Sequence, residues 1–154
     1  MRHMNALFAT NRRAYDGVLV LLRIVAAVVM FPHGAQKMLG WFGGYGFSAT
    51  VHAMSTGMHL PSALVALVIL VEFFGPILLV LGLFTRIAAL AIAVDMLVAA
   101  LTVHLPNGFF MNFYGNQKGE GIEYFIYAVG INLALIIAGA GIYSIDARIA
   151  KETA

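Results

Sequence analysis

The sequence predicts an all-α fold, a bundle of four transmembrane helices, on three observations. Hydrophobic residues fill 62% of the 154 positions and mean hydropathy is +0.91, values foreign to a soluble domain but natural where lipid is the main solvent. Four apolar segments approach the roughly 20 residues that a helix needs to cross hydrocarbon. Within the first three stand Arg23, Glu72 and Asp95, ionisable groups at costly depth and therefore functional candidates. Backbone groups in lipid must be satisfied internally, so such continuous apolar runs are read as helices.

Residues 1–16 form an N-terminal cytoplasmic or interfacial segment, placed along the inner membrane surface. The first span, 17–39, follows Arg12 and Arg13 and imitates a signal peptide. Arg23 within it, the lack of a small-x-small cleavage site and the spans that follow mark it as retained. A long connection, WFGGYGFSATVHAMSTGMHL, leads to the second span, 61–83, and Phe84 and Thr85 turn the chain tightly into the third, 86–104. A second long connection, PNGFFMNFYGNQKGEG, precedes the fourth span, 122–143, and residues 147–154 are a tail. One membrane domain, 17–146, accounts for the chain.

Arg2, Arg12, Arg13, Arg86, Arg148 and Lys151 fall on one side of this scheme, and Lys37 and Lys118 on the other. The positive-inside rule then puts both termini in the cytoplasm and the two longer loops outside, in a multi-pass protein of the inner (cytoplasmic) membrane. Trp41, Phe42, Tyr45, Phe47, Phe109, Phe110, Phe113 and Tyr114 would form an aromatic belt on the outer face, or cap a pocket there. Gly40, Gly43, Gly44 and Gly46 let the first loop turn sharply. No strand precedes them and no Lys-Ser or Lys-Thr follows, which excludes a phosphate loop.

Charged residues make up only 10% of the chain and net charge is +2, too little and too scattered for a nucleic-acid partner. Cysteine is absent, so dithiol chemistry, iron-sulfur ligation and disulfides are excluded. If the chain handles electrons, an organic cofactor, a haem or a partner carries them.

Helical geometry aligns Arg23, Ala27, Met30, Gly34 and Lys37 on one face of the first span, with His33 at its edge. Glu72, Gly75 and Gly82 share a side of the second, where Pro76 frees the carbonyl of Glu72. The third aligns Ala88, Ala91, Asp95, Ala99 and Thr102; the fourth aligns Glu123, Tyr127, Gly130, Ala134 and Gly141, with Asn132 opposite as a helix or subunit contact. These faces are expected to point inward. Counted from the inner ends, Arg23 lies roughly 9 Å deep, Asp95 roughly 14 Å and Glu72 roughly 17 Å, near enough for one buried charge network. It would either neutralise charge or, with its excess carboxylate, hold a proton.

Nearer the outer surface stand His33, Gln36, Lys37, His104, Asn107, Glu123 and Tyr124. Imidazole, ammonium and carboxylate groups together suit the carbonyl oxygens of a quinone, whose reduction takes up two protons with two electrons. Glu72, His33 and Lys37 are the candidates for the chemistry itself; snorkelling and helix capping are the alternative roles. No local ligand motif favours a metal, and a haem or metal at His33 and His104 is the lesser candidate. Asp95 and His104 are nine residues apart, hence on opposite faces of an ideal helix. Pro106 disfavours helix at Leu105 and leaves the orientation of His104 open.

The stretches LLRIVAAVVMFPHGAQKMLGWFGG, LVEFFGPILLVLGLFTRIAAL, VHLPNGFF and GIEYFIYAVG together resemble the DoxX family of bacterial and archaeal four-helix membrane proteins, over residues 18–146. The resemblance implies a link to quinol oxidases, thiosulfate:quinone oxidoreductases and membrane complexes that detoxify oxidants. It lends weight to Arg23, His33, Gln36, Lys37, Glu72, His104, Asn107, Glu123 and Tyr124. The chain lacks the soluble domains that would carry a redox centre, so a redox partner protein is expected and independent thiosulfate oxidation is not. Two rival functions stay open: a transporter or channel for a small solute, metal ion or proton, as a homo-oligomer, and a scaffold without chemistry.

Overall fold

The computed structural model describes residues 12–153. Of the expected interfacial segment 1–16, residues 1–11 lie outside them, while 12–16 already belong to the first helix rather than to a separate segment. The described residues form six α-helices and no strand: α1 (Arg12–Leu39), α2 (Phe47–Gly57), α3 (Ser62–Leu81), α4 (Thr85–Ala99), α5 (Glu123–Ala138) and α6 (Ile145–Glu152). Beyond Ala99, α4 continues as a π-helical turn, Ala100–His104, and a 3-10 turn, Leu105–Asn107.

Three helical stretches are long and apolar enough to cross a membrane: α1, α3 and α4 with its extension. The fourth, α5, is apolar but has 16 residues and ends at Ala138, short of the expected 143. Gly139 stops it with φ 81° and ψ −163°, outside the helical region, while its N–H still closes on the Leu135 carbonyl. Two helices were not expected: α6 (Ile145–Glu152), in what was read as a tail, and one in the first long loop. The first long loop holds α2, whose Phe47, Val51 and Met54 recur at helical spacing and whose Thr50 is buried.

Helix α1 packs most on α3, α3 on α4, α4 on α5, and α5 closes against α1. The order is antiparallel throughout. Gly34 abuts Glu72 and Arg23 abuts Gly82, while Arg86 donates to the Ile136 carbonyl at one end of the α4–α5 pair and His104 stacks on Phe125 at the other. Only about a third of each spanning window is buried inside the protein. Leu21, Val28, Leu67, Ile87, Leu90 and Ile137 face outward, as lipid-facing side chains do.

The core confirms the inward faces of α1 and α3. Arg23, Ala27, Met30 and Gly34 are buried on one; Glu72, Gly75 and Leu79 on the other. The faces of α4 and α5 need correction. On α4 the buried line runs through Ala88, Ala89, Ile92, Ala93 and Met96, which leaves Asp95 at its edge and Thr102 exposed. On α5, Tyr127 and Gly130 are exposed whereas Phe125, Asn132 and Leu135 are buried. Bulky Phe125 and Leu135 fill the core better than the small-residue stripe. Asn132 is buried there with its amide nitrogen donating to the Ala128 carbonyl one turn back and its Oδ1 without a partner among the described residues.

The terminal end of the bundle is locked by Asp146. Gly82 adopts the left-handed conformation that ends α3. The next turn forces Phe84 to φ 49°, a strained angle for a residue with a side chain. Asp146 holds this turn: its carboxylate accepts from Phe84 N–H at 2.7 Å and Thr85 N–H at 2.9 Å, and its own N–H donates to the Gly82 carbonyl. A residue 62 positions away thus caps α4.

Candidate functional site

Two recesses are candidates. The larger, about 490 Å³, lies at the terminal end between the start of α4 and residues 138–147. Its main polar groups are already engaged, Asp146 as the cap of α4 and Arg86 on the Ile136 carbonyl. The smaller, about 350 Å³, lies at the loop end and gathers Lys37, His33, Glu72, His104, Tyr124 and Glu120. Its walls are completed by Met30, Met96, Ala99, Met111 and Phe125. Several convergent polar groups in a largely apolar hollow are what a small-ligand site requires.

Close helix approach builds the inner wall. Pro76 has no N–H to offer the Glu72 carbonyl, and α1 presents Gly34 to that oxygen. The Gly34 hydrogen points where any other residue would carry a Cβ, giving the freed carbonyl a weak C–H partner. One turn further along α1, Lys37 Nζ pairs with Glu72 Oε1. The Lys37 side chain is 30% exposed and that of Glu72 only 4%, so the pair spans the cavity wall. Asp95, on α4, neighbours Glu72. Glu72 Oε2 and Asp95 Oδ2 are buried without a partner among the described residues.

The π-helical turn resolves the orientation of His104. The Leu105 N–H closes on the Ala100 carbonyl, an i→i+5 bond that adds a residue to the turn. Pro106, lacking an N–H, cannot continue the α-helical ladder there. The extra residue rotates His104 so that it lines the same cavity as Met96 and Ala99. Its ring lies on Phe125 with centroids 4.3 Å apart, and Nδ1 sits 2.9 Å from the Glu120 carbonyl.

The second long loop folds into a clasp over this end. Asn107 donates to the same Glu120 carbonyl, Met111 N–H donates to Glu123 Oε2, and the Glu120 carboxylate accepts from Asn112 N–H. Gly121, Ile122 and Glu123 N–H groups close on the carbonyls of Phe110, Gly108 and Phe109. Gly121 passes so close to Gly108 and Phe110 that a Cβ would strike their backbone oxygens at 2.6 Å.

Five expected site residues therefore meet in one cavity: His33, Lys37, Glu72, His104 and Tyr124, with Asp95 behind Glu72. Four do not join them. Gln36 donates to the Phe42 carbonyl and shapes the first loop, while Asn107 and Glu123 organise the clasp. Arg23 is separated from Glu72 by the antiparallel register, which sets it beside Gly82, roughly 16 Å along α1 from Gly34. It donates to the Tyr143 carbonyl at 2.7 Å, and Lys37 takes its expected place beside Glu72. Sequence reasoning missed Glu120, Phe125, Met96 and Met111, whereas Met30 was expected on the inward face of α1. Glu120 acts largely through its backbone, which leaves no residue-type signal, and apolar wall residues look like any core.

Comparison with known proteins now bears on this geometry. The DoxX family model matches residues 18–105. The chain belongs to the DoxX family. The matched stretch of this DoxX protein carries α1, α3, α4 and the π-helical turn, hence His33, Lys37, Glu72, Asp95 and His104, while Glu120, Tyr124 and Phe125 lie beyond it. The protein is 29% identical over 116 residues to a Bacillus subtilis protein named "Putative oxidoreductase CatD", covering 75% of this chain and 76% of that one. It is 33% identical over 143 residues to an uncharacterized protein of Haemophilus influenzae, covering 87% and 92%. No solved structure matches it significantly. Family and apolar helices together make it a membrane protein.

Proposed function

We propose that this DoxX protein is the membrane subunit of a quinone-linked oxidoreductase, in a respiratory or oxidant-detoxifying complex, and that the loop-end cavity receives the quinone headgroup. The cavity carries the reading: at about 350 Å³ it holds one substituted six-membered ring, and Lys37, His33, His104 and Tyr124 supply hydrogen-bonding groups on its walls. The name of the CatD relative points the same way. Glu72 and Asp95 form a proton-holding reserve behind Lys37. The chain has no cysteine, and in this reading electrons pass to or from a partner protein. We place the protein in the inner membrane with its termini in the cytoplasm and the cavity facing outward.

Native mass spectrometry with a UV-visible spectrum, on protein purified in nanodiscs, tests this directly. A stoichiometric quinone is expected, lost in His33→Ala and Lys37→Met. A correctly inserted protein that binds no added quinone, and whose substitutions leave quinone-dependent respiration unchanged, refutes it. One observation favours a second reading, a proton or cation path: the adjoining carboxyls of Glu72 and Asp95 inside apolar helices. Flux into sealed proteoliposomes that vanishes in Glu72→Gln would establish that path.

A further inference from the structure

We infer that His104 is the hydrogen-bond acceptor that makes the cavity select a hydroxylated ring, a hydroquinone, over its dicarbonyl form; this rests on the headgroup reading above. A carbonyl oxygen can only accept, so the 2.9 Å contact between His104 Nδ1 and the Glu120 carbonyl requires the hydrogen on Nδ1. In the neutral ring Nε2 then bears a lone pair and has no hydrogen-bond partner among the described residues.

The tautomer is held by its surroundings. Asn107 Nδ2 donates to the same Glu120 carbonyl at 3.0 Å, fixing that oxygen in place. Close tilted contact with Phe125, ring centroids 4.3 Å apart at 39°, restricts the ring, and flipping it would put a carbon against the carbonyl. The π-helical turn aims this ring into the cavity.

The opposite polarity stands on the α1 side. Lys37 gives one N–H to Glu72 and retains others for a ligand. A dicarbonyl ring satisfies Lys37 but sets oxygen lone pairs against Nε2. A hydroquinone satisfies both, because each hydroxyl donates and accepts. A polar group left without its partner costs a ligand the worth of that hydrogen bond.

The test is calorimetric titration, under strictly anaerobic conditions, of the full chain in mild detergent with a short-chain benzoquinone and separately with its hydroquinone. The expected result is hydroquinone binding about tenfold tighter, the worth of one hydrogen bond. His104→Phe keeps an aromatic ring against Phe125 and should bring the two affinities within about twofold. Equal affinities in the native protein, a preference for the dicarbonyl ring, or a preference that survives His104→Phe overturns the inference and leaves the headgroup reading standing. Binding of neither ring overturns both. Nitrogen-15 histidine spectra of the native protein provide a readout independent of the variant's folding. Nδ1 should carry the proton and Nε2 alone should shift with hydroquinone; an Nε2-protonated resting ring overturns the inference.

Discussion

Gly34→Ala is the sharpest test of the helix register that builds the cavity. A Cβ there would strike the backbone of α3, lying 2.6 Å from the Phe73 Cα and nearer still to the Glu72 carbonyl. Ordinary van der Waals contact begins at 3.4 Å, so α1 and α3 must part by about 1 Å. The atoms struck are backbone, not the end of a flexible chain, which points to the upper part of the overpacking range, about 3 kcal/mol. Alanine's better helix propensity returns about 1 kcal/mol, leaving a net loss of about 2 kcal/mol. Gly17, on the same helix, is the matched control: nothing lies within 4 Å of its Cβ position. Gly17→Ala should therefore be neutral or stabilise by up to about 1 kcal/mol. Reversible unfolding of both variants in one detergent, by helical circular dichroism, gives the difference, expected at about 2–3 kcal/mol. Gly34→Ala unfolding at or above the native midpoint would refute the close approach at Glu72.

Other consequences follow from the same contacts. Breaking the Lys37–Glu72 pair should be asymmetric: Lys37→Met strands a carboxyl that is 4% exposed beside Asp95, at about 3 kcal/mol. Glu72→Gln leaves an ammonium on a side chain 30% exposed, which reaches water at about 1 kcal/mol; equal losses in unfolding free energy would contradict this geometry. Asp146→Ala removes two charge-assisted bonds to Phe84 and Thr85 and should cost about 2 kcal/mol, with Asp146→Asn retaining about half, read by the same assay. Glu123→Ala frees the Met111 N–H and should raise amide exchange at Met111 and Asn112 several-fold while changing global stability by less than about 1 kcal/mol.

Local chemistry explains which expectations held. The turn at Gly82–Thr85, the sharp glycine turns at Gly40, Gly43 and Gly46, and the carbonyl freed by Pro76 depend on one or two residues, and each stands as expected. The network of Arg23, Glu72 and Asp95 did not hold, because depth counted from assumed helix ends ignores how antiparallel neighbours slide along one another. Settling Gly34 against Glu72 put Lys37, not Arg23, beside the carboxyl. The face of α5 was misjudged for a related reason. In a helix apolar almost all round, periodicity is too weak to choose a side, and the shape of the neighbouring helices chose Phe125 and Leu135.

By itself the sequence determined that this is an apolar, helical membrane chain with carboxyls and basic groups inside its helices, because composition and span length follow from the solvent each residue must face. It also marked the family and most of the polar residues that matter. Only the tertiary structure decided which of them meet. Helix register brought Lys37 to Glu72, one extra residue in a π-helical turn swung His104 into the cavity, and the clasp set the Glu120 carbonyl against Nδ1 of that ring. Each of these depends on how helices and loops pack at long range, and no pattern of neighbouring residue types records that.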